Sequence, residues 1–397
     1  MVLCKAKDVG VGGSYRRRLA LAVVSFVLIL ALPVAGGRWA GLPAAVWHEF
    51  PPRQVYVHHA RFHWVAFLGL AWAQLVLLAP IVWRGGRHNR GASHGTVGIA
   101  GAEGRPPGLL PVWGWVGIGW TLAAWAVAWT RLAAFAPIQH HTYVLVWTGY
   151  IVTVLALTQR RAGTCRLTRQ PAALAGLALL SAAFWWGFEF LNRSTQNWFY
   201  QHIATFTPSA YVAWATLSFM TVLPAVLGTH DWLATYPRLT AGLENWIRIR
   251  TLRPRLAGAG FALAGGAGLF LLPVWTNALF PLLWLAPLAL LCGLLAAAGE
   301  ATLFDDWGRG DWRTIVRLSL SAVICGWFWE MWNMYSLARW VYEVPYVGGF
   351  RVFEMPLLGY AGYGPFGWEC AAVAMVFGLW QPPPDSAGHG QGKRGVP

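Results

Sequence analysis

Two acid–amide pairs in this chain have the residue types and spacing to do chemistry. Glu330 and Asn333 lie three residues apart within Gly326-Trp-Phe-Trp-Glu-Met-Trp-Asn-Met-Tyr335. Glu189 and Asn192 repeat that spacing within Trp185-Trp-Gly-Phe-Glu-Phe-Leu-Asn192. On a helix, residues three apart share a face, and each pair has a Trp three positions before its Glu, Trp327 and Trp186. Were the two faces to meet around one apolar cavity, neighbouring carboxyls there would titrate apart, and one would serve as acid and the other as base. Asn333 and Asn192 would orient them or donate to a substrate. Trp327, Trp329 and Trp186 would form the wall, with Tyr335, Tyr342 and Glu354 beside the substrate. Aromatic faces of this kind stabilise a developing cation. The plainer reading is that each Glu and Asn ties down an adjacent loop by hydrogen bonds.

Histidine offers a rival site. His59 and His63 are four residues apart at the start of an apolar run, a spacing that can hold a metal from one helix face. His140 and His141, or His48 and Glu49, could complete it for a metal or a haem. The pattern is not the helical His-Glu-x-x-His motif, because Phe50, Pro51 and Pro52 interrupt it. Interfacial histidines that bond only water or headgroups are the plainer alternative. No cofactor is specified by these residues alone.

The elements that must carry these residues are hydrophobic. The chain has 397 residues, 57% hydrophobic and 11% charged, with a mean hydropathy of +0.46. Soluble domains run near a quarter charged, so a water-soluble core could not hide this much apolar surface. Ten apolar runs are long enough to span a bilayer: 19–35, 62–83, 112–130, 141–158, 172–191, 209–228, 256–275, 280–299, 314–334 and 364–380. The expected fold class is an all-α polytopic transmembrane helical bundle of about ten spans. Twenty-seven tryptophans exceed what interfacial belts need and point to an aromatic interior as well.

Charge placement orients the bundle. With Met1 in the cytoplasm, 23 of the 30 basic residues fall on inside segments and 7 on outside ones, as the positive-inside rule requires. The net charge of +15 is then explained by basic loops facing anionic lipid, with no nucleic-acid partner. The expected location is a bacterial inner membrane with both termini cytoplasmic. The expected partners are membrane lipid and a lipid-like small molecule. Arg16-Arg-Arg18 followed by an apolar stretch and Pro33-Val-Ala-Gly-Gly37 also fits a cleaved signal peptide; the later topology is the same either way. On this topology seven of the eleven histidines lie at outer positions, as do Glu49, Glu189, Glu330, Glu343, Glu354 and Glu369. His88, His94, His230 and His389 fall in inner loops or the tail and look incidental.

Organisation follows in order. Residues 1–83 give two spans and a His-rich outer loop. Residues 84–111 read as a cytoplasmic linker rich in Gly, His and Arg. Residues 112–230 form one four-span unit, 231–255 a basic inner loop, and 256–381 a second four-span unit, leaving 382–397 as a tail. The two units share the Glu-x2-Asn pair and a following Trp-x-Tyr, Trp198–Tyr200 and Trp340–Tyr342. This reads as a parallel duplication about an axis along the membrane normal. The second unit carries an irregular insert, 343–362, which reads as a lid or re-entrant segment. The five cysteines form no Cys-x-x-Cys pair, which argues against a zinc ribbon or disulfide framework. Glycines 258, 260, 265, 266 and 268 read as a close-packing stripe.

The block Phe353-Glu-Met-Pro-Leu-Leu-Gly-Tyr360 through Gly362-Tyr-Gly-Pro-Phe-Gly-Trp-Glu369, preceded by Trp329-Glu-Met-Trp-Asn333, resembles the C-terminal signature of a group of bacterial multi-spanning membrane proteins. The resemblance implies a shared fold and no chemistry. By analogy alone the chain is similar to membrane-embedded carotenoid cyclases and hydratases, which also set acidic residues among aromatics. Their Pro-x-Glu-Glu type of motif is missing, since neither Pro345 nor Pro356 is followed by an acidic pair. Three functions are therefore expected: conversion or binding of a lipid-like, isoprenoid substrate; proton-coupled transport through the same carboxyls; or metal or haem binding.

Overall fold

The structure is a computed structural model that describes residues 9–52, 54–92 and 108–382. It is predominantly helical: α1 Val9–Trp39, α2 Trp64–Ala92, α3 Val112–Trp129, α4 Thr142–Ala162, α5 Pro171–Thr195, α6 Pro208–Phe219, α7 Val222–Ala234, α8 Pro254–Leu271, α9 Leu282–Ala297, α10 Arg313–Met334 and α11 Tyr363–Val376. Among the described residues, seven helical segments are long and apolar enough to cross a membrane. The centre of the expected linker and nearly all of the expected tail lie outside the described residues.

Each apolar run expected from sequence is helical, and proline explains the one that is split. Pro224 cannot donate a backbone hydrogen bond, and the run expected at 209–228 divides into α6 and α7 at Met220–Thr221. Ser181 on α5 satisfies the break. Its hydroxyl donates to the Phe219 carbonyl and accepts from the Leu223 N–H at 3.0 Å.

Two sets of four segments use the same pairings. α3 packs on α4 as α8 packs on α9; α4 on α7 as α9 on α11; α5 on α7 as α10 on α11. The glycine stripe brings α8 and α9 together, since a Cβ at Gly265 would stand 2.6 Å from the Leu290 nitrogen. α1 packs against α5, α8, α9 and α11. α2 stands at the periphery, with Trp72, Leu75, Leu77 and Val82 exposed along its length. In water that surface would be unfavourable at roughly 25 cal/mol per Å²; against lipid tails it carries no penalty.

The sets are joined by a short sheet. β1 (Trp198–Gln201) pairs antiparallel with β2 (Arg339–Tyr342), in the register Trp198↔Tyr342, Phe199↔Val341, Tyr200↔Trp340 and Gln201↔Arg339. The two Trp-x-Tyr segments thus pair with each other, and Phe199↔Val341 is the centre of a local twofold. The insert forms a second hairpin, β3 (Arg351–Val352) with β4 (Met355–Pro356), and a 3-10 turn over Leu357–Gly362. Phe350 of the insert rests on Phe62 and Phe67 at the start of α2.

Two expectations need correction. His59 and His63 do not share a helix face, because α2 begins only at Trp64. The segment before it is held extended by side-chain amides: Gln196 Oε1 accepts from the Tyr56 and Val57 N–H groups, and Asn277 Oδ1 from that of Ala60. His230 is not in a loop. It is fully buried on α7 with Asp231, which binds Arg166 at 2.5 Å and accepts from the Trp380 indole at 3.4 Å. This cluster ties together three separate parts of the chain at the end of the bundle away from the sheet.

Candidate functional site

The sheet end of the bundle encloses a cavity of about 150 Å³. Its walls are mainly aromatic: Trp185, Trp198, Trp284, Trp329 and Trp340, with Tyr143, Tyr200, Tyr342 and Tyr363. Among the described residues, Glu330 is the only acidic one lining it.

Glu330 is held from one side only. The Tyr342 and Tyr363 hydroxyls each donate to its Oε1 at 2.8 Å. Its Oε2 is buried and has no hydrogen-bond partner of standard geometry. The Trp340 indole, which also approaches this carboxyl, donates instead to the Tyr342 hydroxyl at 2.9 Å. Burial first, then the Glu330 carboxyl, pushes the Tyr342 phenol well above its usual value, so it remains a donor at neutral pH. A carboxyl oriented by two phenols, with its second oxygen unoccupied among aromatic faces, can exchange a proton with an apolar ligand or bind a cationic one.

Glu189 is held differently. Its Oε1 accepts from Trp185 and Trp198 indoles, each at 3.1 Å, and from the Tyr200 hydroxyl at 2.6 Å. All three donors line the cavity, whereas Glu189 itself does not. It stands behind the wall and fixes the rings that form it.

The two asparagines do matching work. Asn333 Nδ2 donates to the Trp340 carbonyl at 2.7 Å and its Oδ1 accepts the Trp340 N–H at 2.9 Å. Asn192 Nδ2 donates to the Trp198 carbonyl at 2.8 Å, and its Oδ1 accepts from the Asn197 and Trp198 N–H groups. Each amide grips the strand that follows its helix. This is the loop-tying role, and it engages both ends of each amide, leaving neither Asn in the cavity wall.

Of the six expected substrate contacts, Trp329 and Tyr342 line the cavity and four residues do not. Trp327 is 47% exposed and rests on Phe353. Three residues turn a helix through roughly 300°, leaving it about 60° from Glu330, enough to reach the rim. Trp186 donates to Thr216 at 3.0 Å. Tyr335 is exposed and packs edge-on to Trp129. Glu354 lies between Arg339 and Arg351, at 3.8 and 3.7 Å. Sequence reasoning quoted the stretches that hold Trp185, Trp198, Tyr200 and Trp340 without assigning them to the wall, and missed Trp284, Tyr143 and Tyr363; of the last three only Tyr363 carried a signal, standing inside the C-terminal aromatic block.

The histidines fall in separate places: His140 and His141 both line the aromatic cavity, whereas His59 and His63 do not. His59 bonds the Thr195 carbonyl at 2.9 Å and faces Glu343 at 3.6 Å. His141 stacks on Trp214 with ring centroids 3.9 Å apart, next to His140. Among the described residues no group of three or more His, Cys, Asp or Glu side chains could hold a metal ion. Cys165, Cys292, Cys325 and Cys370 are free and buried.

No family model matches the chain, and neither a curated protein nor a solved structure shows detectable similarity to it.

Proposed function

We propose that this is a multi-pass inner-membrane protein of about ten spans, built from a parallel duplication of a four-helix unit, which binds and converts an isoprenoid-like lipid in its aromatic cavity. In this reading both termini are cytoplasmic and the sheet end faces outward. Matching helix pairings in the two sets, and the matching Asn–strand and Glu–Tyr bonds, support the duplication. Glu330 is the acid/base. Protonated, it gives its proton to an alkene carbon; the resulting cation is stabilised by Trp185, Trp198, Trp284, Trp329 and Trp340; the carboxylate then takes a proton from a neighbouring carbon. The net change is an isomerisation or ring closure that needs no other reactant. Glu189 is a positioning residue that holds three wall rings. The observation that carries the reading is a buried carboxyl with one unpartnered oxygen, Glu330, in the wall of an aromatic cavity.

The test uses purified protein in nanodiscs, with squalene as an isoprenoid alkene probe in deuterium oxide. Deuterium should enter the recovered alkene with the native protein and not with Glu330→Gln. Absence of incorporation with the native protein would sink the reading. Proton-coupled transport of a similar solute is the second reading, supported by a cavity with one carboxyl, Glu330, in its wall where the two halves join. Proton-driven uptake into proteoliposomes, without deuterium incorporation, would select it.

A further inference from the structure

A second cavity, of about 230 Å³, lies between α1, α5, α9 and α11. Its lining is apolar except for Ser25 and Glu369. The Ser25 hydroxyl already donates to the Leu21 carbonyl at 2.8 Å. Glu369 is 2% exposed, and neither of its oxygens has a hydrogen-bond partner. The Leu288 N–H approaches from α9 without making a bond of standard geometry. Two orphaned oxygens on one buried carboxyl are costly, because each forfeits the bonds it had in water. The residues that α11 buries beside it, Cys370, Ala371, Ala372 and Ala374, are small and offer it no polar side chain but a thiol.

The cavity opens sideways. Val23 and Phe26 on α1 and Ala183 on α5 line it and are exposed, and in a spanning bundle these faces meet lipid tails. Its volume is roughly one and a half times that of a cavity of about 150 Å³ that holds a benzene ring. It can thus admit a stretch of alkyl chain, with a single polar group at the end that reaches Glu369. A cation has no second acid here to share, and a bare chain would leave both oxygens unpaired. A hydroxyl both donates and accepts, and so answers a carboxyl in either protonation state.

We infer that this cavity is a lateral binding site for the apolar chain of a membrane-borne alcohol, with Glu369 as the hydrogen-bonding partner of its hydroxyl. The site is separate from the Glu330 cavity and does not depend on the function proposed for it.

The test is chemical protection in nanodiscs. Dicyclohexylcarbodiimide partitions into bilayers and modifies carboxyls it can reach there. Peptide mass mapping should find Glu369 labelled in the native protein and the corresponding peptide unlabelled in Glu369→Gln. Dodecanol should slow labelling saturably, by about tenfold, the weight of one hydrogen bond to a carboxyl in an apolar site. Dodecane at equal membrane concentration should not. Ala183→Trp alters only the exposed mouth; it should cut labelling while leaving the unfolding midpoint unchanged, and it keeps the test usable if Glu369→Gln fails to fold. Unlabelled Glu369, equal protection by dodecane, or undiminished labelling of Ala183→Trp would each overturn the inference.

Discussion

The ring of Tyr363 occupies the space beside Gly326 so closely that a Cβ on Gly326 would overlap it. Gly326 stands four residues before Glu330. In the first half, the residue four before Glu189 is Trp185, which donates its own indole N–H to that carboxyl at 3.1 Å. The second half has no side chain at this place, and the donor comes from the next helix as the Tyr363 hydroxyl, at 2.8 Å. The two carboxyls thus take this donor in different ways, and of the two only Glu330 lines the cavity.

Gly326→Ala should displace Tyr363 and lower stability by about 1–3 kcal/mol, the usual cost of overpacking a tight contact. Tyr363→Phe keeps the ring and loses only the hydrogen bond, and should cost about 1 kcal/mol. Thermal unfolding followed by tryptophan fluorescence in detergent would rank them. Equal midpoints for Gly326→Ala and the native protein would contradict the packing described.

Asn192→Ala and Asn333→Ala should each free a strand backbone that the amide grips at both N–H and C=O, at about 1–3 kcal/mol. Because β1 and β2 pair with each other, the double substitution should cost less than the sum. Hydrogen exchange at the Trp198 and Trp340 amides should quicken in either single variant. Strict additivity would mean that the strands are secured independently.

Asp231→Asn should leave Arg166 without its counter-charge. A fully buried pair broken this way costs about 3–5 kcal/mol. Both side chains keep some exposure, 12% and 16%, so a loss of about 2 kcal/mol is expected. The same measurement on His230→Ala separates the ion pair from the packing of the imidazole on Trp380.

Asp311 carries a pH signature at the opposite end of the bundle from the sheet. Burial alone would raise its pKa, but hydrogen bonds and charge from Arg313 outweigh it and hold the carboxyl below its usual value. A depressed carboxylate stabilises the fold above its unfolded pKa, near ~3.9, and loses that contribution as pH falls through the folded value. The difference in unfolding midpoint between native protein and Asp311→Asn should be flat from about pH 5 upward and shrink below about pH 4. A difference that grows on acidification would reverse the sign argued here.

Much of the fold was legible because hydrophobic run length is a strong signal when the solvent is lipid. Every apolar run is helical, one of them as two helices; of the glycine stripe, Gly258, Gly265 and Gly268 pack closely on α9, whereas Gly260 meets nothing within 4 Å and Gly266 faces Leu32 on α1. The site was legible in part. Glu-x2-Asn followed by Trp-x-Tyr picked out Glu330, Tyr342 and both strand grips. Helical spacing could not tell the cavity face from the rim, which misplaced Trp327 and Trp186. The His59–His63 spacing misled because Gln196 and Asn277, far off in sequence, keep that segment extended. His230 looked incidental because the charge pattern that marked a basic loop began inside the last turns of α7. Trp284 and Tyr143 had no local signal, since their role depends on which helices become neighbours.

The β1–β2 pairing sets an order of assembly. Gln201 and Arg339 are 138 residues apart, so during synthesis β1 emerges and waits while five further helices are made. Through that interval its edge is open, and Glu189 and Asn192 are the groups that can hold it in shape. Until β2 follows, the contacts β1 can make are those of its own half, the Trp198 and Tyr200 bonds to Glu189 and the Asn192 grip on the Trp198 backbone.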